Sequence, residues 1–406
     1  MLNINCLPPE ILLYIFRLYL QTETQHDFMH CIGKVCRNWH ELCKDPSLWQ
    51  EFDGTLPFEV LKQYCDEGIL NECKIIVFSN VENGNVSIPK EIRKMYENLP
   101  KLNCVNFSNV MGLRSKQFFV QLASKCPEVQ EIIFNDKLHN YKICPWIIGL
   151  FKDFLRVRGT NLVSLVFSNL YLRSSIDLFS TIGNSCPNLE VLKVESYHDC
   201  TITFPTTQMQ SLCPKLRVLC LGYPVTVTNH ACVVGFKNLE IFRNPSKLNF
   251  LFPRCSVDAV IFESQELKEL DISKCVFVKS NCLHPVNYSH LQNLNISSGI
   301  VYDIACFIEV IQKWSNSLKV LDASNMTDLS LNDMLQTVIL DGGLTNLTTL
   351  NLKQTSITIP TMKLIVKNCL QLDVLNLEFC SELEEFSSKY EELIYTQLLY
   401  ILKQVF

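Results

Sequence analysis

Apolar residues along this chain follow two rhythms. From Cys73 to Leu377 the pattern L-x-x-L-x-L recurs, with Ile, Val, Phe or Cys able to replace Leu. Clear copies start at Leu102, Val129, Leu162, Leu189, Leu216, Leu267, Leu291, Leu318, Leu347 and Leu372, and weaker ones at Cys73 and Leu239. Cys73 and Leu372 lie 299 residues apart over eleven intervals, a mean near 27. Each copy alternates apolar and polar positions, which predicts a short strand. Segments 117–125, 177–184, 305–314 and 361–368 carry helical spacing instead. The interval from Val129 to Leu162 is longer, 33 residues, and its segment 145–158 predicts a longer helix, whose Lys152, Arg156 and Arg158 leave a basic partner site open. Phe-Ser-Asn recurs in phase at Phe78, Phe107 and Phe167. A unit of this size cannot bury its apolar face alone, so neighbouring copies must stack on one another.

Before Cys73 the rhythm changes. Ile11 to Phe16 and Leu18 to Leu20 are all apolar, which predicts a helix over 9–20 that starts at Pro8-Pro9. Such a helix must be covered on every side. A unit of about 45 residues buries too little of its own surface to do this, so the cover comes from the rest of the chain or from a partner. Val35, Cys36, Trp39 and Leu42 then share a helical face. Asp45-Pro46-Ser47-Leu48-Trp49 predicts a turn and a short closing helix. Thr55, the face Phe58/Leu61/Cys65 and Gly68 predict a helical linker over 55–71. ILLYIFRLYL at 11–20 has the look of a secretion signal, but no basic stretch precedes it, Arg17 interrupts it and no small-residue cleavage site follows.

The order LPPEILLYIF (7–16), KVCRNWHEL (34–42) and DPSLW (45–49) closely resembles the F-box. The 27-residue period is that of leucine-rich repeats. Together they imply an α/β fold: a three-helix F-box over 1–54, the linker over 55–71, a leucine-rich-repeat horseshoe of about 12 repeats over 72–388, and a helix over 389–406. The last segment, with Tyr390, Leu393, Ile394, Leu398, Ile401 and Leu402 at helical spacing, reads as a cap; a membrane or partner helix is the alternative, and Glu391 and Glu392 oppose anionic lipid. The F-box resemblance implies docking onto the Skp adaptor of a cullin–RING ubiquitin ligase. Position by position, the adaptor-facing set it implies is Leu7, Pro8, Ile11, Leu12, Ile15, Phe16, Val35, Cys36, Trp39, Leu48 and Trp49. The connection 21–33 is longer than usual, which leaves the register of Phe28, Met29 and Ile32 open.

Twenty cysteines raise the choice between disulfides, metal and free thiols. No two stand three apart, which argues against zinc, and a long chain without a secretion signal argues against a disulfide framework. Cys126, Cys186, Cys213 and Cys369 each precede a repeat's first core position by three residues, where a small buried thiol suits a tight helix-to-strand corner. This placement resembles the cysteine-containing repeats of F-box/leucine-rich-repeat proteins.

Charge narrows the function further. Thirty-six basic against 41 acidic residues give a net charge of −5 with no basic block, so nucleic acid is not expected as partner. No apolar run reaches the length of a membrane span. There is no HExxH, Walker loop, GxSxG or GxGxxG, so no catalytic, metal or cofactor site is expected and function should lie in surfaces. On the inner strand face, Glu269, Asp271, Asp322, Asn351, Asn376 and Glu378 form a polar, acid-biased row suited to a protein substrate with a basic or amide-rich surface. The plainer reading is a solvated strand face. The expected role is a substrate receptor of a Skp–cullin–F-box ligase, in cytoplasm or nucleus and not secreted. The alternative is a leucine-rich-repeat binding or inhibitor protein outside any ligase.

Overall fold

The computed structural model describes residues 4, 7–22, 25–54, 58–78, 99, 101–108, 116–135, 145–168, 176–195, 202–222, 225–227, 236–244, 264–274, 276–277, 290–301, 304–326 and 330–383. The expected cap over 389–406 lies outside them. The chain forms two compact units, residues 1–173 with 184–189 and residues 174–183 with 190–406.

The first unit opens with helices α1 (Pro9–Leu20), α2 (Gln25–Cys31) and α3 (Arg37–Cys43), and a 3-10 turn over Pro46–Leu48. Asp45 starts that turn by accepting a hydrogen bond from the Ser47 N–H at 2.9 Å. Helix α4 (Phe58–Asp66) follows, and Gly68 at φ 73 ends the segment in a conformation that costs glycine little. Strands β1 (Glu51–Asp53), β2 (Ile75–Phe78), β3 (Cys104–Ser108), β4 (Glu131–Asn135) and β5 (Ser164–Ser168) pair in parallel in chain order. Helices α5 (Lys116–Lys125) and α6 (Pro145–Arg158) lie between strands. Phe78, Phe107, Phe134 and Phe167 fill the sixth repeat position and stack with centroids 5.6, 5.0 and 5.5 Å apart.

Strand β1 precedes the first recognised L-x-x-L-x-L copy. Phe52 pairs with Ile76, the fourth position of the Cys73 copy. Trp49, Phe52 and Gly54 therefore occupy the first, fourth and sixth positions of an additional repeat. The Trp49 N–H donates to Pro46 O at 3.1 Å, as the Cys73 N–H donates to Leu70 O at 3.0 Å. Gly54 is required because a Cβ there would come within 2.6 Å of the Phe78 ring.

The second unit carries α7 (Ile176–Ser185) for most of its length, then β6 (Val191–Val194), α8 (Thr206–Leu212), β8 (Val218–Leu221), β10 (Ile241–Arg243), β11 (Glu269–Asp271), β13 (Asn293–Asn295), β15 (Val320–Asp322), β16 (Thr349–Asn351) and β17 (Val374–Asn376). These eight strands are parallel and in chain order. Two further parallel pairs, β7 (Ile202–Phe204) with β9 (Val225–Val227) and β12 (Val276–Phe277) with β14 (Ile300–Val301), sit beyond the main strands. Helices α9 (Ile304–Trp314), α10 (Ser330–Leu340) and α11 (Ile359–Asn368) complete the unit.

After β11, β13, β15, β16 and β17 the chain turns the same way each time. Asp271, Asn295, Asp322, Asn351 and Asn376 each accept a hydrogen bond from the N–H two residues ahead. The next residue in each copy, Lys274, Ser298, Asn325, Gln354 or Phe379, has φ between 55 and 61. A short side-chain acceptor thus holds a left-handed turn that L-residues otherwise avoid. Asp322→Ala is expected to cost about 1 kcal/mol, whereas Asp322→Asn keeps the turn's acceptor and loses only the bond from Asn351, so a urea midpoint should fall less.

The four expected corner cysteines are buried, and the carbonyls of Cys126, Cys186, Cys213 and Cys369 accept from the N–H three residues on, at 3.1 to 3.4 Å. The twelve cysteines whose side chains the structure describes are free thiols. Burial pushes Cys43, Cys73, Cys104, Cys126 and Cys213 from 9.0 up to about 12, and Cys220 and Cys369 to about 11. It also moves the Tyr64 phenol from 10.0 to about 12. A raised folded value means that the fold favours the neutral form. This contribution is complete below pH 9.0 and is lost as pH rises towards about 12. Urea midpoints should fall steadily over that window. Iodoacetamide at neutral pH should label exposed Cys31 well before the corner thiols.

Candidate functional site

Helix α1 has two apolar faces. Leu12 and Phe16 point inward, where Phe16 meets Phe28 and Trp39 edge-on at 5.6 and 5.2 Å. Trp49 closes the module: it is fully buried, and its indole N–H donates to Cys43 O at 2.8 Å. Arg17 ties the helix to the closing turn through a 3.0 Å bond to Ser47 Oγ. The other face stays open. Leu7, Ile11, Tyr14 and Leu18 are 37%, 46%, 58% and 45% exposed, and Val35 is 54% exposed. Ile11, Tyr14 and Leu18, three and four residues apart, make one continuous stripe along the helix, with Leu7 just ahead of its start. The chain covers one side of α1 and leaves the other for something else.

The expected adaptor set therefore divides. Leu7, Pro8, Ile11 and Val35 are exposed, and Ile15 and Cys36 are half-buried. Leu12, Phe16, Trp39, Leu48 and Trp49 are core residues, so they can serve a partner only by holding its docking surface in shape. Tyr14 and Leu18 share the exposed stripe and stand outside the expected set. Their signal was present in the spacing from Leu7, hidden because almost every neighbour is also apolar. The Trp39 indole N–H is buried and makes no hydrogen bond.

The second candidate surface is the strand face of the second unit. Glu269, Asp271, Asp322, Asn351, Asn376 and Glu378 all lie on it, half-buried. It is less free than its composition implies. Glu269 holds Arg243 at 2.5 Å, and this hydrogen bond raises the guanidinium further above its ordinary value. Glu378 holds Lys353 at 2.6 Å. Asp271 and Asp322 hold turns, and Asp322 also accepts from Asn351 Nδ2 at 3.1 Å. The acid bias is thus largely spent within the protein. Among the described residues there is no cluster of three or more His, Cys, Asp or Glu able to hold a metal, and no helix long and apolar enough to cross a membrane.

Residues 4–55 match the family model described as F-box-like. The chain carries an F-box-like domain. Such a domain implies a Skp-type adaptor as partner, and its match runs through β1 into the first strand pair. The fold is mixed α/β, F-box helices followed by leucine-rich repeats. Among solved structures, an internalin of Listeria monocytogenes is 16% identical, with a TM-score of 0.48 over 80% of each chain. A chain of the yeast Rad7 and Elc1 complex is 14% identical, with a TM-score of 0.45 over 85% of this chain and 88% of that one. No curated protein matches the chain.

Proposed function

We propose that this chain is the substrate-recognition subunit of a Skp–cullin–F-box ubiquitin ligase, working in cytoplasm or nucleus. The observation that carries this reading is the open apolar stripe of the F-box-like domain. The exposed side chains Leu7, Ile11, Tyr14, Leu18 and Val35 would meet the adaptor, and the half-buried Ile15 and Cys36 would lie at the contact's edge. The strand face with Glu269, Asp271, Asp322, Asn351, Asn376 and Glu378 would meet the substrate. The chain itself catalyses nothing in this reading. It raises the substrate's effective concentration at the ubiquitin-loaded enzyme, and the ubiquitinated substrate goes on to the proteasome.

Ile11→Glu with Tyr14→Glu tests the docking half. Both positions are exposed, so the melting curve should not move. Co-purification of the Skp adaptor should fall more than about tenfold, as for a central interface anchor. Undiminished adaptor binding would overturn the assignment. For the substrate half, Asp271→Asn with Asp322→Asn keeps both turns, because Asn295, Asn351 and Asn376 already perform the same task. A drop in ubiquitinated proteins captured with the proteasome blocked supports a charge-reading face. An unchanged set removes these two residues from it.

A further inference from the structure

The row at the second position of each repeat in the second unit runs Glu190, Arg217, Glu240, Lys268, Gln292, Lys319, Thr348, Asp373. It is continuous, since each residue's N–H donates to the carbonyl of the one before at 2.8 Å. Over the first four residues the charges alternate and pair. Arg217 meets Glu190 at 3.3 Å and Glu240 at 2.7 Å, and Lys268 meets Glu240 at 3.1 Å. The hydrogen bond from Arg217, with that from Lys268, holds Glu240 below the usual carboxylate range. The alternation then stops. Gln292 stands where the next acid would be, and exposed Lys319 has no carboxylate in ion-pair reach among the described residues. The next acid, Asp373, is two strands away, roughly 10 Å by strand spacing.

A recess of about 260 Å³ opens at this break, and every side chain lining it is polar. Three of them set its walls. Asn346 Nδ2 donates to Asn316 O at 2.6 Å, Ser317 Oγ to Leu291 O at 2.7 Å, and Thr348 Oγ1 to Lys319 O at 3.0 Å. The carboxamides of Gln292, Asn316 and Gln371 also line the recess and make no hydrogen bond to another described residue. A carboxamide offers one donor group and one acceptor, like a peptide bond, and an ammonium offers only donors and charge.

We infer that this recess binds a peptide segment through one of its carboxylates, with Lys319 supplying the charge and the free carboxamides reading the backbone. The bound acid takes the place the alternating row leaves empty. Nothing in this requires an adaptor, so the inference stands or falls apart from the proposed ligase role.

The test uses the purified full-length chain and three labelled, C-terminally amidated peptides, Gly-Ser-Glu-Glu-Ser-Gly, its Gln-Gln counterpart and its phosphoserine counterpart, followed by fluorescence polarisation. The Glu peptide should bind saturably. The Gln peptide, or the Lys319→Glu protein with the Glu peptide, should bind about tenfold more weakly or worse, because the first lacks the acid and the second sets a like charge against it. Lys367→Glu, on the exposed side of α11, should change nothing. Equal binding of the Gln peptide, indifference to Lys319→Glu, binding of the phosphoserine peptide alone, or no saturable binding would each overturn the inference.

Discussion

Replacing Trp49 by alanine is expected to destabilise the first unit by about 3–5 kcal/mol. Trp49 is fully buried, with ring centroids 6.2 Å from Phe28, 6.4 Å from Phe52 and 5.1 Å from Tyr64. The first partner belongs to the F-box helices, the second to β1 and the third to α4. One side chain therefore joins three elements that no other described aromatic links. Its loss should speed hydrogen exchange both in α2 and in β2, which rests on β1. Adaptor capture should fall with it, although Trp49 itself is not exposed. Trp49→Phe keeps the ring contacts and loses the 2.8 Å bond to Cys43 O, so it should cost only about 1–2 kcal/mol. If β2 exchange stays as slow in Trp49→Ala as in the native chain, Trp49 does not hold the repeats to the docking module.

Asn332→Leu should cost the second unit about 3 kcal/mol, because several buried groups lose their partner together. Asn332 Oδ1 accepts from the Thr358 N–H at 2.9 Å, from Thr358 Oγ1 at 3.2 Å and from Thr361 Oγ1 at 2.8 Å. Its Nδ2 donates to Ser356 O at 2.8 Å. Gln336 Nε2 donates to Thr361 Oγ1 at 2.7 Å, closing the cluster. One side chain of α10 thus supplies the hydrogen bonds at the start of α11. Urea unfolding should show the loss, with hydrogen exchange rising first around residues 356–362. A substitution that cost less than about 1 kcal/mol would mean the freed groups find other partners.

These sites show where the sequence was readable. Leu321, Leu350 and Leu375 announce themselves because each repeats the same local pattern, and the corner cysteines follow from the same register. The helix over 9–20 was equally plain. Strand β1 was not, because Trp49-Gln50-Glu51-Phe52-Asp53-Gly54 contains no leucine and ends on a glycine chosen for the Phe78 ring next to it. Only the pairing of Phe52 with Ile76 reveals the register. The pairing of the acid row was hidden in a similar way. Arg243 and Glu269 lie 26 residues apart in sequence and 2.5 Å apart in space, and a count of acids along the chain sees the first number only. In α1 the difficulty was excess of signal: with nine apolar residues among ten, periodicity cannot tell the inward face from the outward one.

Gln25 has a consequence for how the repeats remain separate from other chains. Its Nε2 donates to Glu51 O at 2.6 Å, and its Oε1 accepts from the Asp53 N–H at 2.9 Å. A single carboxamide thereby occupies the donor and acceptor that β1 would otherwise offer to a further strand. An open strand edge is where chains add to one another. A fragment starting at residue 56 would lose Gln25 and β1 together and present the bare edge of β2. The docking module is thus also what keeps the first strand from recruiting its neighbours, and the array should become self-associating in any fragment that lacks it.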